Sequence, residues 1–94
     1  MKRAYPTFSN PEGYQPSPHF EMRGNNLYPT TFHPSGESKL PWFKLENNQI
    51  YPTSHHPGTL QRLPWYEVRN NKIYSTRYHP SGQSEIPWFE IKDK

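Results

Sequence analysis

Residues 66–74 read YEVRNNKIY. Two asparagines, Asn70 and Asn71, separate flanks in which apolar and charged residues alternate: Tyr66 and Val68 against Glu67 and Arg69. Asparagine tolerates the positive φ that a two-residue type I′ turn requires at both central positions. Alternation with one apolar face marks a half-buried strand. The stretch therefore predicts a tight β-hairpin with Val68 opposite Ile73. FKLENNQIY at 43–51 and FEMRGNNLY at 20–28 repeat the arrangement. They place Leu45 opposite Ile50 and Met22 opposite Leu27, with Phe20, Phe43 and Tyr66 on the same face.

The prolines fit this register. In a two-residue hairpin the pair flanking the turn is hydrogen-bonded and pairs alternate from there. Pro29 and Pro52 then fall opposite Phe20 and Phe43 at non-hydrogen-bonded positions, where a missing N–H costs the hairpin nothing. It leaves the outer edges poor templates for a continuous sheet. The expectation is of discrete hairpins packed side by side rather than a fully hydrogen-bonded barrel.

The hairpins belong to a longer period. Trp42, Trp65 and Trp88 are 23 residues apart, as are Tyr28, Tyr51 and Tyr74, and His33, His56 and His79. Carried back from Tyr28, the period lands on Tyr5 and continues through Pro6, Thr7, Pro11, Gly13, Pro18 and Phe20. The whole chain, 1–94, reads as one domain of four tandem copies, 5–27, 28–50, 51–73 and 74–94. The first is degenerate, with Asn10 in the His position and His19 in the Trp position. The fold class is all-β: four 23-residue repeats forming short antiparallel hairpins. Two endings fit the sequence, an array closed by pairing of the first and last strands and an open stack. Twelve prolines leave no long stretch with helical apolar spacing. The connection HPSGQSEIP at 79–87 has β-turn composition, Pro setting φ and Gly82 free to take a positive value.

Composition bounds the function. Hydrophobic residues make up only 30% of the chain, but aromatics reach 16%, which argues for a folded domain with an aromatic core. The net charge of +3 is scattered, without the Lys/Arg run of a nucleic-acid arm. The absence of cysteine removes disulfides and Cys-based zinc sites. MKRAYPTFSNPEGY has no apolar stretch of the secretory type and no run approaches a membrane span, so a cytoplasmic protein with no membrane partner is the default expectation.

The candidate ligand-binding residues are Trp42, Trp65 and Trp88 with Tyr28, Tyr51 and Tyr74. Strand alternation puts the tryptophans on the face opposite Phe20, Phe43 and Tyr66, beside those tyrosines and Thr30, Thr53 and Thr76. An aromatic strip with polar neighbours suits stacking on sugar rings or anchoring a protein. The simpler reading, favoured in a chain so poor in aliphatics, makes each Trp core. His33, His56 and His79 are weak metal candidates: no acidic residue or Cys accompanies them at fixed spacing, and a His-Pro pair suits a strand end whose ring N–H bonds a loop carbonyl. No carboxylate pair or nucleophile motif recurs, so no catalytic residue and no cofactor is expected.

The 23-residue period resembles that of MORN repeats in length and hairpin form, without their regularly spaced glycines. NNKIYSTRYHPSGQSEIPW resembles a WW domain in its order of aromatic, His and Trp, with different spacings. Neither resemblance carries a residue role over. The expected function is a non-enzymatic hairpin-repeat binding or interaction module, its partner a carbohydrate or a protein. The alternatives are a single-stranded nucleic-acid binder, disfavoured by Glu21, Glu67 and Glu90 on the proposed aromatic face, and a self-assembling structural scaffold.

Overall fold

The computed structural model describes residues 2–56 and 63–93. Among these, eight antiparallel strands run in chain order: β1 (Lys2–Pro6), β2 (Phe20–Arg23), β3 (Asn26–Pro29), β4 (Phe43–Glu46), β5 (Gln49–Pro52), β6 (Tyr66–Arg69), β7 (Lys72–Ser75) and β8 (Phe89–Asp93). They close into a barrel in that order. No helix among the described residues is long and apolar enough to cross a membrane. The strands themselves have four or five residues, against the roughly nine to eleven of a membrane-spanning strand.

The tight turns follow from local chemistry. Asn47, Asn48, Asn70 and Asn71 take φ of 50°, 63°, 53° and 63°, and Gly24 takes 60°. The hairpin registers are those expected: Met22 faces Leu27, Leu45 faces Ile50 and Val68 faces Ile73. Pro29 lies opposite Phe20 and Pro52 opposite Phe43.

The array closes through its ends. β1 and β8 pair over five residues, Pro6 opposite Phe89 and Ala4 opposite Ile91. These are the ladder positions of Pro29 and Phe20, and of Leu27 and Met22, moved by the 23-residue period. A fourth hairpin is thus assembled from the two ends of the chain without a turn between them.

The hairpins are not discrete, which corrects one expectation. Neighbouring hairpins share a short ladder, such as Asn26 with Lys44 and Leu27 with Phe43. The prolines do not block it because the seam bonds take their N–H groups from other residues. Trp42 N donates to Leu27 O at 3.0 Å and Leu45 N to Asn25 O at 2.7 Å. Trp65, Trp88 and His19 donate in the same way to Ile50, Ile73 and Ala4. With no free edge left, the barrel avoids the edge-to-edge pairing that an open stack invites.

An eight-stranded barrel has an interior just wide enough for side chains to fill. Phe20, Phe43, Tyr66 and Phe89 enter from the even-numbered strands, and Ala4, Leu27, Ile50 and Ile73 from the odd ones; all eight are buried. Met22, Leu45, Val68 and Ile91 complete the core at the end where the tight turns lie. Phe20 and Phe43 meet edge to face at 5.6 Å, as do Phe43 and Tyr66 at 5.6 Å and Phe20 and Phe89 at 5.8 Å, the geometry aromatic quadrupoles prefer.

Candidate functional site at the barrel mouth

The loops opposite the tight turns are built by one threonine each. Thr30 Oγ1 donates to Pro18 O at 2.6 Å and accepts from Phe32 N, while Thr30 O accepts from His33 N. Thr53 and Thr76 make the same bonds to Pro41 and Pro64, and Thr7 makes them to Pro87 across the closure. This brings His33, His56 and His79 to one end of the barrel. Gly36 and Gly82 follow, each with φ of 89° and its N–H on the histidine's carbonyl at 2.8 Å, so the Ser-Gly turn is as expected. The third copy's counterpart, after His56-Pro57, lies outside the described residues.

The histidine rings hold their loops differently from the expectation. Ser35 N donates to His33 Nδ1 and Ser81 N to His79 Nδ1, both at 3.0 Å. The ring therefore accepts from a loop amide; it does not donate to a loop carbonyl. The reason is geometric: the tight turn after His-Pro aims an N–H back at the ring. A ring accepting at Nδ1 carries its proton on Nε2 and is neutral. Asn10 shows why the first copy can dispense with histidine. Its Oδ1 accepts from Glu12 N at 2.9 Å, as Nδ1 does elsewhere, and its Nδ2 donates to Trp88 O at 3.0 Å.

Imidazoles and indoles alternate around the opening. The ring centroids are 5.0 Å apart for His33–Trp42, 5.5 Å for Trp42–His56, 4.9 Å for His56–Trp65, 5.2 Å for Trp65–His79 and 5.0 Å for His79–Trp88. Asn10 continues from Trp88, and His19 meets His33 at 5.3 Å. Together with Phe20, Phe43, Tyr66 and Phe89 below, this circle encloses a cavity of about 260 Å³ open to solvent, with Glu12, Ser35 and Ser81 at its rim.

The electrostatics follow from that packing. Burial pulls His33 and His79 down to about 4, helped by His19 and His56 beside His33 and by His56 beside His79. Burial also lowers His56. It lowers His19 against the opposing pull of the Glu12 carboxylate. Tyr66 is raised, first by burial and then by Glu12. The Tyr66 hydroxyl lies 3.1 Å from His79 Nε2. Since that nitrogen carries the proton, it donates, and the Tyr66 O–H is left to donate elsewhere. His19 is 3% exposed, and its Nε2 is buried with no hydrogen-bond partner, a state that costs roughly 1–3 kcal/mol in a finished core.

The sequence-derived aromatic strip does not form. Trp65 and Trp88 are buried, Trp42 half-buried, and all three line the mouth beside Phe43 and Phe89. The expected opposite face fails because each Trp precedes its strand, at a bend, where strand alternation does not yet apply. Tyr28, Tyr51 and Tyr74 are half-buried on the outer surface, opposite Glu21, Lys44 and Glu67. Arg23 covers the Tyr28 ring at 3.9 Å and Arg69 the Tyr74 ring at 4.1 Å, while the Tyr51 hydroxyl donates to Gln49. Tryptophans and tyrosines thus occupy separate places. The histidines do converge, but among the described residues no three His, Asp or Glu side chains are grouped to hold a metal ion. The sequence reading missed Glu12 and Tyr66 as mouth residues. The signal available was their departure from the repeat, Glu12 standing where Ser35 and Ser81 stand and Tyr66 where Phe43 and Phe89 stand.

No family model matches this chain, and no curated protein and no solved structure matches it.

Proposed function

We propose that the barrel is a non-enzymatic binding module that takes a compact group of a larger ligand into the His/Trp mouth. The observation that carries this is His19 Nε2, buried without a partner in the wall of a solvent-open cavity. Buried polar atoms are almost always paired, and a ligand atom in the mouth would complete this one. The narrow exposure of Trp65 and Trp88 favours a side-chain-sized group over a sugar ring laid flat on an indole. The neutral, amide-bound His33 and His79 suit a fixed wall better than a proton-transferring base. The experiment is a fragment screen on the full chain followed by the indole N–H resonances. Ligands should shift those of Trp42, Trp65 and Trp88 together; shifts confined to the outer surface near Tyr28 and Tyr74 overturn the reading.

A second reading rests on a different observation. Leu40, Leu63 and Ile86 occupy the same repeat position two residues before each Trp and are 52%, 48% and 58% exposed. Three exposed aliphatics in equivalent places favour a contact surface between copies of the chain. Sedimentation of the wild type against Leu40→Ser/Ile86→Ser tests it: an oligomer lost in the variant supports assembly, and a monomer at high concentration removes it.

A further inference from the structure

We infer that the mouth accepts an alkylammonium group, seated against its indole and imidazole rings with the Glu12 carboxylate as counter-charge. This rests on the mouth being the binding site and names its ligand chemistry. Among the described residues lining the mouth, the one formal charge is Glu12, and no Lys or Arg is present. Three indoles, a phenol and three phenyl rings line the same cavity as that carboxylate. Such rings attract a cation through their quadrupoles, most strongly where it is desolvated. His33 and His79 do not oppose it, since both accept at Nδ1 and stay neutral. An anion, by contrast, would meet Glu12 with no cation among the described lining residues to offset it.

The first copy's departures from the repeat converge on this chemistry. Asn10 and His19 replace the His and Trp of the other copies, Glu12 stands where the second and fourth copies have Ser35 and Ser81, and all three line the mouth. Asn10 preserves the loop. Glu12 supplies the negative charge, whose field reaches both His19 and Tyr66. His19 replaces an indole, which can only donate, with a ring whose buried Nε2 can accept. An ammonium that still carries a proton can donate to it.

Three probes of similar size separate the contributions: protonated dimethylethanolamine, choline, and the uncharged carbon isostere 3,3-dimethylbutan-1-ol. Each is titrated into the full chain at neutral pH and constant ionic strength, with the Trp indole N–H resonances as readout. The expected order is dimethylethanolammonium, then choline, then the alcohol, with about fivefold or more between choline and the alcohol. Glu12→Gln, an exposed change, should narrow that gap severalfold. His19→Trp, which restores the residue type of the other copies, should erase the advantage of dimethylethanolammonium over choline. If the alcohol binds in the mouth as well as choline does, the ammonium inference is overturned while the mouth remains a binding site. If none of the three shifts the indoles at tens of millimolar, the inference and the binding-site reading fall together.

Discussion

The two ends of the barrel turn their strands back by opposite means. At one end, two-residue Asn and Gly turns need only positive φ, and the residue that enters each turn, Arg23, Glu46 or Arg69, is charged and exposed. At the other, long loops are tied by Thr, Asn and His side chains to backbone groups, and rings fill the space between them. The first solution is local and leaves nothing to bind. The second fixes side chains that do not belong to a regular ladder, and such side chains can wall a cavity. The candidate site therefore lies where backbone regularity ends.

The comparison is broken most directly through the core. Phe43 is 3% exposed and touches Phe20, His56, Trp65 and Tyr66 beneath the mouth. Phe43→Ala should cost about 3–5 kcal/mol, a large share of the stability of so small a domain. Leu45, two residues on toward the tight turn, is only partly buried; Leu45→Ala should cost about 2 kcal/mol or less. Urea denaturation of the two variants tests this. Equal losses would mean that the turn end carries the fold as much as the mouth does.

Acid should act on the mouth through its histidines. His33 and His79 ionise near 4 when folded and near 6.5 when unfolded. Between those values the unfolded chain takes up protons that the folded mouth refuses, so stability is full above about pH 6.5 and falls as pH drops toward 4. The loss is on the order of 1 kcal/mol for each histidine, after allowing for solvent around half-exposed rings. Asn10 supplies the control. Because its amide reproduces the loop bond of a histidine, His33→Asn/His79→Asn should keep its pH 8 stability within about 1 kcal/mol. Its urea midpoint should then vary less between pH 8 and pH 4.5 than that of the wild type; an unchanged slope would place the acid sensitivity elsewhere.

How far the sequence could be read follows the same division. The hairpin registers were legible because the Asn-Asn turn is a local device: two residues fix the pairing of the next four on each side. Closure was not, since Pro6 meets Phe89 with no turn between them, and a non-local pair leaves no local signature. The prolines misled about the seams because a missing N–H matters only where the ladder needs a donor, and the seam draws on Trp42 and Leu45 instead. The Trp position failed for a related reason: alternation was extended one residue beyond the strand. Asn10 and His19 were visible as departures from the repeat, but nothing in the sequence showed that both line one mouth.

The loop ties should contribute less than the core. Thr30→Val keeps the shape but removes the donor to Pro18 O and the acceptor for Phe32 N. A loss of about 1–2 kcal/mol is expected, read as a lowered thermal midpoint together with a shift of the His33 ring resonances. A lowered midpoint with an unmoved His33 ring would show that the threonine supports the strand end without positioning the mouth.

The smallest effect belongs to the tight turn, and its sign depends on the substituent. Asn70 sits at φ 53°, a value that costs an ordinary L residue roughly 1–2 kcal/mol. Asn70→Ala should therefore destabilise by about 1 kcal/mol, since asparagine already carries part of that strain. Asn70→Gly relieves the strain but frees the unfolded chain, and the two nearly cancel, leaving a change of a few tenths of a kcal/mol. Neither substitution should move the Trp indole resonances, because the turn is separated from the mouth by the full height of the barrel. If Asn70→Ala disturbs those resonances as much as Thr30→Val does, the two ends are mechanically coupled, and the mouth owes its geometry to the whole barrel as well as to its own loops.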